Sequence, residues 1–238
     1  MKRFEHYGEP IPGVAPGDLS GWLIVVEGTD GVGRTTHINK LRTHLEKLGY
    51  AVAETGLSRS DLASRGIHRA KLGNTLGSNA FNLFYATDFA DRLEQQIVPA
   101  LRSGFVMITD RYIYSLIARA IVRGADPDWI KRVFSFALRP DAVFYLRIEV
   151  EDLVPRVLAD GPFDYWESGM DLPMGEDLYD SFIQYQRRVI GELDGLSREY
   201  GFHTLDATRD VDEISEDLCE RVARLLAERR TEPAASEA

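Results

Sequence analysis

The stretch VVEGTDGVGRTTHINKL, which begins at Val25, constrains the fold of this chain more than any other. It starts as an apolar run, passes through three glycines, and continues into a segment whose apolar residues recur every three or four positions. Those residues are Ile38, Leu41, Leu45 and Leu48, and Gly49 follows them. The pattern predicts a buried strand, a glycine-rich loop and an amphipathic helix that Gly49 ends.

The loop matches the pattern G-x-x-x-x-G-K-[ST] at Gly28, Gly33 and Thr35. A strand that enters a glycine-rich turn and then a helix directs several backbone N–H groups and the positive end of the helix dipole at one point. That point favours a phosphate, and the Thr35 hydroxyl is placed to bind Mg²⁺. The predicted phosphate-binding loop comprises Gly28, Thr29, Asp30, Gly31, Val32, Gly33, Arg34, Thr35 and Thr36.

Arg34 stands where the pattern has lysine. Arginine keeps the positive charge but presents a wide planar fork where lysine has a compact ammonium group. One interpretation is a nucleotide-binding scaffold whose catalysis has decayed. The other, which we favour, is an arginine at the terminal phosphate that stabilises charge in the transition state of phosphoryl transfer.

Strands and helices alternate along the rest of the chain. The segments WLIVVEG, YAVAE, FVMIT, AVFYLRI and FHTLDA are predicted strands. Helices are predicted up to about Leu72, at about 78–103 with Pro99 near its end, and near 112–124, 127–138, 151–159, 175–200 and from about 210. This alternation is typical of βαβ units, so we expect an α/β protein, a three-layer α/β/α P-loop fold with a mainly parallel five-stranded sheet.

The two ends of the chain differ from the middle. Residues 1–20 contain three prolines and several glycines and are predicted to form an irregular arm, while residues 231–238 are predicted to be a disordered tail. Residues 21–230 then form one domain, which suits a chain of 238 residues.

Composition narrows the classes of partner and location. The formal net charge of −10 argues against broad binding to nucleic acid or to anionic membranes, although a local basic pocket can still hold a small phosphorylated ligand. Cys219 is the only cysteine, which excludes an internal disulfide and a thiolate zinc site and favours a reducing, cytoplasmic setting. The N-terminus lacks the apolar core of a signal peptide, and no apolar run approaches the roughly 20 residues that span a bilayer.

Three segments together resemble the thymidylate kinase family of P-loop nucleoside monophosphate kinases. VVEGTDGVGRTTH resembles its E-G-x-D-G-x-G-K-[ST]-T loop, LFYATDFADRLEQQIVPAL its L-F-A-x-D-R helix, and VMITDRYIYSLIA its strand that ends in D-R-Y-x-x-S. RPDAVFYLRIEVE is a weaker fourth match, and the resemblance covers about residues 21–225.

The resemblance implies transfer of the γ-phosphoryl group of ATP, with Mg²⁺, to a deoxynucleoside monophosphate, with dTMP as the first expectation. It implies that Asp30 approaches the sugar of the acceptor, that Arg111 binds the acceptor phosphate and that Asp110 organises water on Mg²⁺. Arg34, Asp110 and Arg111 are therefore the expected catalytic residues, and Arg156 is expected near ATP on its adenine side. The resemblance also implies a homodimer with small-molecule nucleotides as partners.

Several positions depart from the family pattern around the acceptor. Tyr85 stands where the family has a base-stacking phenylalanine, and it can still stack on a base. Phe89 replaces the arginine of L-F-A-x-D-R, so either Arg92 takes over that charge or Arg92 pairs with Asp88 on a solvated helix face. Arg119 replaces a tyrosine that lies close to the deoxyribose in the family, which leaves the acceptor specificity open.

The segment that should cover the phosphates contains no arginine. Residues 160–175, here called the acidic segment, form the predicted lid, and no basic residue occurs between Arg156 and Arg187. Since acidic side chains cannot neutralise a transferring phosphoryl group, this places the missing charge on Arg34. The aromatic residues of the acidic segment, Tyr165 and Trp166, are expected to pack on the domain, with contact to a base or a partner protein as the alternative.

Two functions remain as alternatives to a kinase for dTMP. The changes at Phe89 and Arg119 suit a kinase with another deoxynucleotide or a nucleoside as acceptor. The change at Arg34 suits a nucleotide-binding regulator with weak catalysis. Near the loop, Glu27 is expected to make a structural hydrogen bond or to orient Arg34 or water, and His37 is expected to make a helix-surface or capping contact.

Overall fold

The computed structural model of the protein describes residues 4–73, 76–172 and 174–231. Its strands are β1 (Trp22–Gly28), β2 (Val52–Gly56), β3 (Val106–Asp110), β4 (Ala142–Arg147) and β5 (His203–Asp206). They form one sheet in the order β2-β3-β1-β4-β5, and every neighbouring pair is parallel. The predicted three-layer α/β/α fold with a five-stranded parallel sheet is thereby confirmed.

Helices cover both faces of the sheet because both faces of its central strands are apolar. The helices are α1 (Arg34–Lys47), α2 (Ser64–Gly73), α3 (Ser78–Arg92), α4 (Val98–Arg102), α5 (Ile113–Val122), α6 (Pro127–Val133), α7 (Val150–Asp160), α8 (Leu178–Tyr200) and α9 (Val211–Thr231). Leu23 and Val25 of β1 pack in the core cluster on the side of α3 and α5, while Ile24 and Val26 pack with α1, α7 and α9. Within the described residues no helix combines the length and the apolar character needed to cross a membrane.

The register of the sheet brings three strand ends together. Asp110, the last residue of β3, pairs with Val26 of β1 and with Gly56 of β2, and Gly28 at the end of β1 pairs with Leu146 of β4. Carboxyl ends of parallel strands meet at one edge, which is where ligands bind in open α/β sheets. The glycine-rich loop and the segment after β3 therefore face the same cleft.

The N-terminal arm is more regular than the sequence predicts. It contains a short 3₁₀-helix at Pro16–Asp18 and a β-bridge between His6 and Leu138. Phe4 and Leu19 are almost fully buried in the core cluster that contains Leu23. The expectation of an irregular arm is therefore wrong at these places, because isolated apolar residues anchor the arm to the domain. Of the predicted tail, Thr231 ends α9, and residues 232–238 lie outside the described residues.

Two helix predictions need correction in detail. The helical run at 78–102 is interrupted by a π-helical turn at Leu93–Ile97, directly before the turn that contains Pro99. Proline lacks the N–H that an α-helical turn needs at this position, so the preceding turn is wound differently. The helix predicted at 127–138 ends at Val133, and the residues after it pair with the N-terminal arm: the carbonyls of Ser135 and Ala137 accept from the N–H groups of Gly8 and Tyr7.

Candidate functional site

The loop between β1 and α1 curls around the N-terminus of α1. Gly31 has φ +76° and Gly33, which caps the helix, has φ +96°. A Cβ on Gly31 would lie 2.5 Å from Cγ2 of Val157 on α7, so only glycine fits between loop and helix. Thr36 and His37 donate their N–H groups to the Gly33 carbonyl, so the N–H groups of Arg34 and Thr35 are the ones that this geometry offers to an anion at the positive end of the helix dipole.

Arg34 points along the sheet edge and is only 9% exposed. Its Nε donates to Oδ1 of Asp110 over 2.6 Å, and its Nη1 donates to the backbone carbonyls of Gly28, over 2.8 Å, and of Thr29. One guanidinium group thus joins the end of β1, the start of the loop and the end of β3. Arg34 is directed into the cleft edge and away from bulk solvent.

Asp30 binds two further arginines. Its Oδ1 accepts from Nη2 of Arg111 and its Oδ2 accepts from Nη2 of Arg119. Burial alone would raise the pKa of Asp30, but the charges of Arg111, Arg119 and Arg34 outweigh it and hold the pKa well below its usual range. Burial, and then the neighbouring Arg34, lower the pKa of Arg111 to about 10. Asp30, Arg111 and Arg119 are therefore all charged at neutral pH.

The backbone of Arg111 is held in a conformation that is uncommon for a side-chain-bearing residue, with φ +66°. Its N–H donates to the carbonyl of Val26 over 2.9 Å and its Nε donates to the carbonyl of Gly28 over 3.4 Å. Arg111 is therefore fixed against β1 directly beneath the loop. Three guanidinium groups, those of Arg34, Arg111 and Arg119, outnumber the two carboxylates that they bind at this edge.

Glu27 and His37 make structural contacts. The carboxylate of Glu27 is fully buried and accepts from the N–H groups of Tyr112, over 2.8 Å, and Ser115, over 3.3 Å, and from the Ser115 hydroxyl. It therefore caps α5, and burial raises its pKa. His37 is buried, and its Nδ1 lies 2.8 Å from the hydroxyl of Ser215 on α9. Of the alternatives for Glu27, the structural hydrogen bond is confirmed. The helix-surface position expected for His37 is wrong, because α9 packs over α1 and buries the ring.

A pocket with aromatic walls lies next to this charged edge, and we call it the aromatic pocket. Its lining residues come from α2, α3, α8, the acidic segment, α5 with the residue that follows it, and the residue that follows α6; they are Lys71, Phe81, Asn82, Tyr85, Leu116, Arg119, Ala120, Arg123, Phe134, Trp166, Glu167 and Tyr185. The ring of Phe81 stacks on Trp166 with centroids 5.1 Å apart and meets Tyr85 edge-on at 5.0 Å. Flat aromatic surfaces of this kind suit a planar ring.

Of the predicted substrate-binding residues, Tyr85 and Arg119 line the aromatic pocket, while Arg111 reaches it through the shared carboxylate of Asp30. Arg92 does not line the pocket. It is fully buried, and its Nε donates to Oδ2 of Asp88 over 2.9 Å. The expected pairing with Asp88 is present, but the expected solvated helix face is wrong, because the side chain lies over the buried ring of Phe89.

Two other arginines lie at the rim of the cleft. The guanidinium group of Arg59 is exposed and lies against Gly56, where a Cβ would be 3.2 Å from its Cζ. Arg156 on α7 donates from Nη2 to the carbonyl of Ala207 over 2.8 Å, just beyond the end of β5. Arg156 therefore lies on the side of the loop away from the aromatic pocket.

The acidic segment is held down by Arg123, a residue that the sequence did not single out. Its Nε and Nη2 bind both carboxylate oxygens of Asp171, at 2.8 and 3.2 Å, and its Nη2 also donates to the carbonyl of Trp166 over 3.0 Å. Its Nη1 donates to the hydroxyl of Tyr185. The indole Nε1 of Trp166 in turn donates to the carbonyl of Lys71 over 3.0 Å. An acidic residue of the segment thus neutralises an arginine of the protein itself.

Glu167 is the residue of the acidic segment that brings a carboxyl group into the aromatic pocket. Burial, and then the negative charge of Asp30, raise its pKa to about 7. Asn82, Arg123, Glu167 and Tyr185 are pocket residues that sequence reasoning missed, whereas Trp166 was named there with contact to a base as one alternative. The one available signal was helical spacing, because Arg119 and Arg123 are four residues apart, as are Phe81 and Tyr85.

The residues at the edge also fit a magnesium ion. Mg²⁺ is commonly held by one or two protein oxygen ligands together with phosphate oxygens and water. Thr35 presents an exposed hydroxyl at the start of α1, and the Asp110 carboxylate retains 17% exposure. Within the described residues no cluster of three or more acidic, histidine or cysteine side chains forms a complete metal cage.

Comparisons with known proteins agree with this arrangement. The family model described as thymidylate kinase matches residues 26–218. A probable thymidylate kinase 2 of Saccharolobus solfataricus is 37% identical over 84% of this chain and 94% of its own length. A probable thymidylate kinase of Pyrococcus abyssi is 31% identical over 84% and 95%, and a thymidylate kinase of Halothermothrix orenii is 31% identical over 87% and 99%. The chain therefore belongs to the thymidylate kinase family.

Proposed function

We propose that the protein transfers the γ-phosphoryl group of ATP to a deoxynucleoside monophosphate, with dTMP as the leading acceptor and dTDP as product. The observation that carries this proposal is the bridge made by Arg119. This side chain lines the aromatic pocket and binds Asp30 of the glycine-rich loop. A base in the pocket and phosphates at the loop would then face each other across the same carboxylate.

The charged edge supplies what phosphoryl transfer needs, which is alignment and neutralisation of charge. The loop amides of residues 28–36 hold the phosphates of ATP, with Arg34 next to the transferring group. Arg111, fixed by its bonds to β1, binds the phosphate of the acceptor. Asp30 keeps Arg111 and Arg119 in a fixed relation and approaches the sugar of the acceptor.

Arg34 has hydrogen-bond partners within the protein and, in the proposed reaction, also faces the transferring phosphoryl group. Its bonds to Asp110 and to the carbonyls of Gly28 and Thr29 hold the guanidinium group at the cleft edge, and its backbone begins α1. A cation that is already positioned there costs little reorganisation when charge develops on the phosphoryl group. Since the acidic segment contains no arginine, Arg34 takes the role that a basic lid would have.

Thr35 and Asp110 would hold Mg²⁺, through a hydroxyl and a carboxylate oxygen or its bound water. The ion supplies charge neutralisation on the phosphates of ATP. Arg156, bound to Ala207 on the other side of the loop, lies where it can contact the adenine side of ATP.

Two further features extend the proposal. A homodimer rests on the family resemblance, and the exposed Leu62, Leu72 and Leu83 beside or within α2 and α3 offer an apolar surface for it. Sedimentation at micromolar concentration would separate a dimer from a monomer of 26.8 kDa. A cytoplasmic location also remains a prediction.

The test is a panel of acceptors with ATP and Mg²⁺, analysed by chromatography of the nucleotide products. The proposal predicts ADP and the diphosphate of the acceptor in equal amounts, with dTMP among the acceptors used. Product from a nucleoside alone would replace it with a nucleoside kinase. Nucleotide binding without turnover of any acceptor would contradict the proposal and favour a regulator.

A further inference from the structure

Asn82 presents an unsatisfied hydrogen-bond donor at the aromatic pocket. The residue lies on α3, one helical turn before Tyr85, and is only 8% exposed. Its Nδ2 is shielded from solvent and has no hydrogen-bond partner among the described residues. A buried amide without a partner carries a desolvation penalty, so an unpaired one in a pocket needs an explanation.

Both arginines that line the pocket are already engaged in ion pairs. Arg119 binds the carboxylate of Asp30, and Arg123 binds the carboxylate of Asp171 and the hydroxyl of Tyr185. A ligand that entered the pocket would compete with these charged pairs for either arginine. The amide of Asn82 has no such competitor in the described part of the chain.

The rest of α3 cannot replace Asn82 in this role. Phe89 stands where the family pattern has arginine and is fully buried, edge-on to Tyr112. Arg92, one turn further on, is fully buried and bound to Asp88. Asn82 therefore supplies the one amide of α3 that lines the aromatic pocket, and this amide can read the polar edge of a base stacked on the aromatic walls.

An asparagine side chain matches one polar edge of a pyrimidine well. Its N–H₂ group donates and its carbonyl accepts, which complements a carbonyl at C4 beside the N3–H of thymine or uracil. Cytosine has an amino group at C4 and no proton on N3. The same orientation of the Asn82 amide would therefore place its N–H₂ donor against the amino donor at C4. A site built to hydrogen-bond one group discriminates strongly against the analogue that lacks it.

We propose that Asn82 is a specificity-determining residue that donates from Nδ2 to the carbonyl oxygen at C4 of the acceptor base. The enzyme then prefers acceptors with an oxo group at C4 over acceptors with an amino group there. This inference rests on the proposed function, because it assigns the aromatic pocket to the base of the acceptor.

The test compares dUMP with dCMP, which differ at C4 and in the proton on N3. We expect kcat/KM to be higher for dUMP in the unchanged protein. We expect Asn82→Ala to lower kcat/KM for dUMP about tenfold, the effect of losing one hydrogen bond, mainly through KM, and to leave dCMP within about threefold. Asn82→Asp, which lacks the donor, should reduce the preference for dUMP further. Asn79→Ala is the matched control, since Asn79 is exposed on the same helix.

Equal use of dUMP and dCMP by the unchanged protein would overturn the inference, as would an equal fall for both acceptors in Asn82→Ala. Thermal melts show whether Asn82→Ala is still folded. If it is not, the preference of Asn82→Asp for dUMP over dCMP decides whether the inference holds. If no acceptor is phosphorylated, the proposed function fails, and calorimetric binding of dUMP and dCMP still tests Asn82. Tighter binding of dUMP that is lost in both Asn82 variants would support the inference, and its absence would refute it.

Discussion

The Nε atom of Arg34 lies 2.6 Å from Oδ1 of Asp110, so the cation of the glycine-rich loop is bound to the carboxylate at the end of β3. The same guanidinium group donates to the carbonyls of Gly28 and Thr29. A lysine ammonium at this place could not span these partners in the same planar arrangement. The arginine is thus integrated into the edge, which argues against a simple drift from lysine.

The shared carboxylate of Asp30 predicts a selective defect in acceptor use. Asp30→Asn removes the charge that holds Arg111 and Arg119 together. We expect kcat/KM for the acceptor to fall about 10- to 100-fold, because misplacement of a positioning group by 1 Å can cost that much. ATP affinity should change less than about threefold. A loss confined to ATP affinity would contradict this role for Asp30.

Asp30 also predicts how stability responds to acid. Its pKa is lower in the folded protein than in the unfolded chain, where it is about 3.9. The stability that its ionised form provides is therefore present above about pH 4 and is lost as the pH falls below that value. Denaturant titrations between pH 5 and 2.5 should show a steeper loss in the unchanged protein than in Asp30→Asn. Parallel losses would show that Asp30 does not carry the effect.

We expect Glu167 to give the folding stability a pH dependence of the opposite sign to that from Asp30. Its folded-state pKa of about 7 lies above the value of about 4.3 for an unperturbed glutamate, so its contribution to stability is present below about pH 4 and is lost as the pH rises toward 7. Glu167→Gln should remove this part of the pH dependence in thermal melts. Glu176→Gln, an exposed position beyond the pocket, serves as the control. Identical pH profiles for all three proteins would contradict the assignment.

We expect that removal of the Arg123 side chain releases the acidic segment from the domain. Arg123→Ala leaves Asp171 without its partner in a site where both side chains are at most 14% exposed, and we expect a loss of about 3 kcal/mol in the free energy of unfolding. Cleavage by a protease within residues 160–175 should become faster. Arg187→Ala breaks only the exposed pair with Glu151 and should cost less than about 1 kcal/mol. Equal effects of the two substitutions would argue against a clamp at Arg123.

The sheet and the loop were predictable because their signals are local. A buried parallel strand reads as an apolar run, and the glycines of the loop occur at fixed spacing, so β1, β3 and the residues at 28–36 follow from neighbouring positions alone. The pairing of Arg111 with Asp30 could not be predicted from the sequence, although both residues were recognised as site residues. It depends on the register that places Asp110 beside Val26.

The aromatic pocket could not be assembled from the sequence. Asn82, Arg123 and Glu167 lie far apart in the chain and carry no motif, and each is brought to the pocket by a different element. The acidic composition of residues 160–175 could not show that Asp171 forms a shielded ion pair and that Glu167 lines the pocket. Arg92 was misjudged for a similar reason, since helical spacing cannot distinguish a solvated pair from one buried under neighbouring helices.

Comparison of turnover with ATP binding in Arg34→Ala tests whether Arg34 acts on the transferring phosphoryl group. We expect kcat to fall about 100-fold or more and the Kd for ATP to change less than about fivefold, because the charge acts chiefly in the transition state. Arg42→Ala, which removes a half-exposed arginine from the same helix, should leave both values near those of the unchanged protein. Equal losses of turnover and ATP affinity in Arg34→Ala, or higher activity in Arg34→Lys, would contradict the claim.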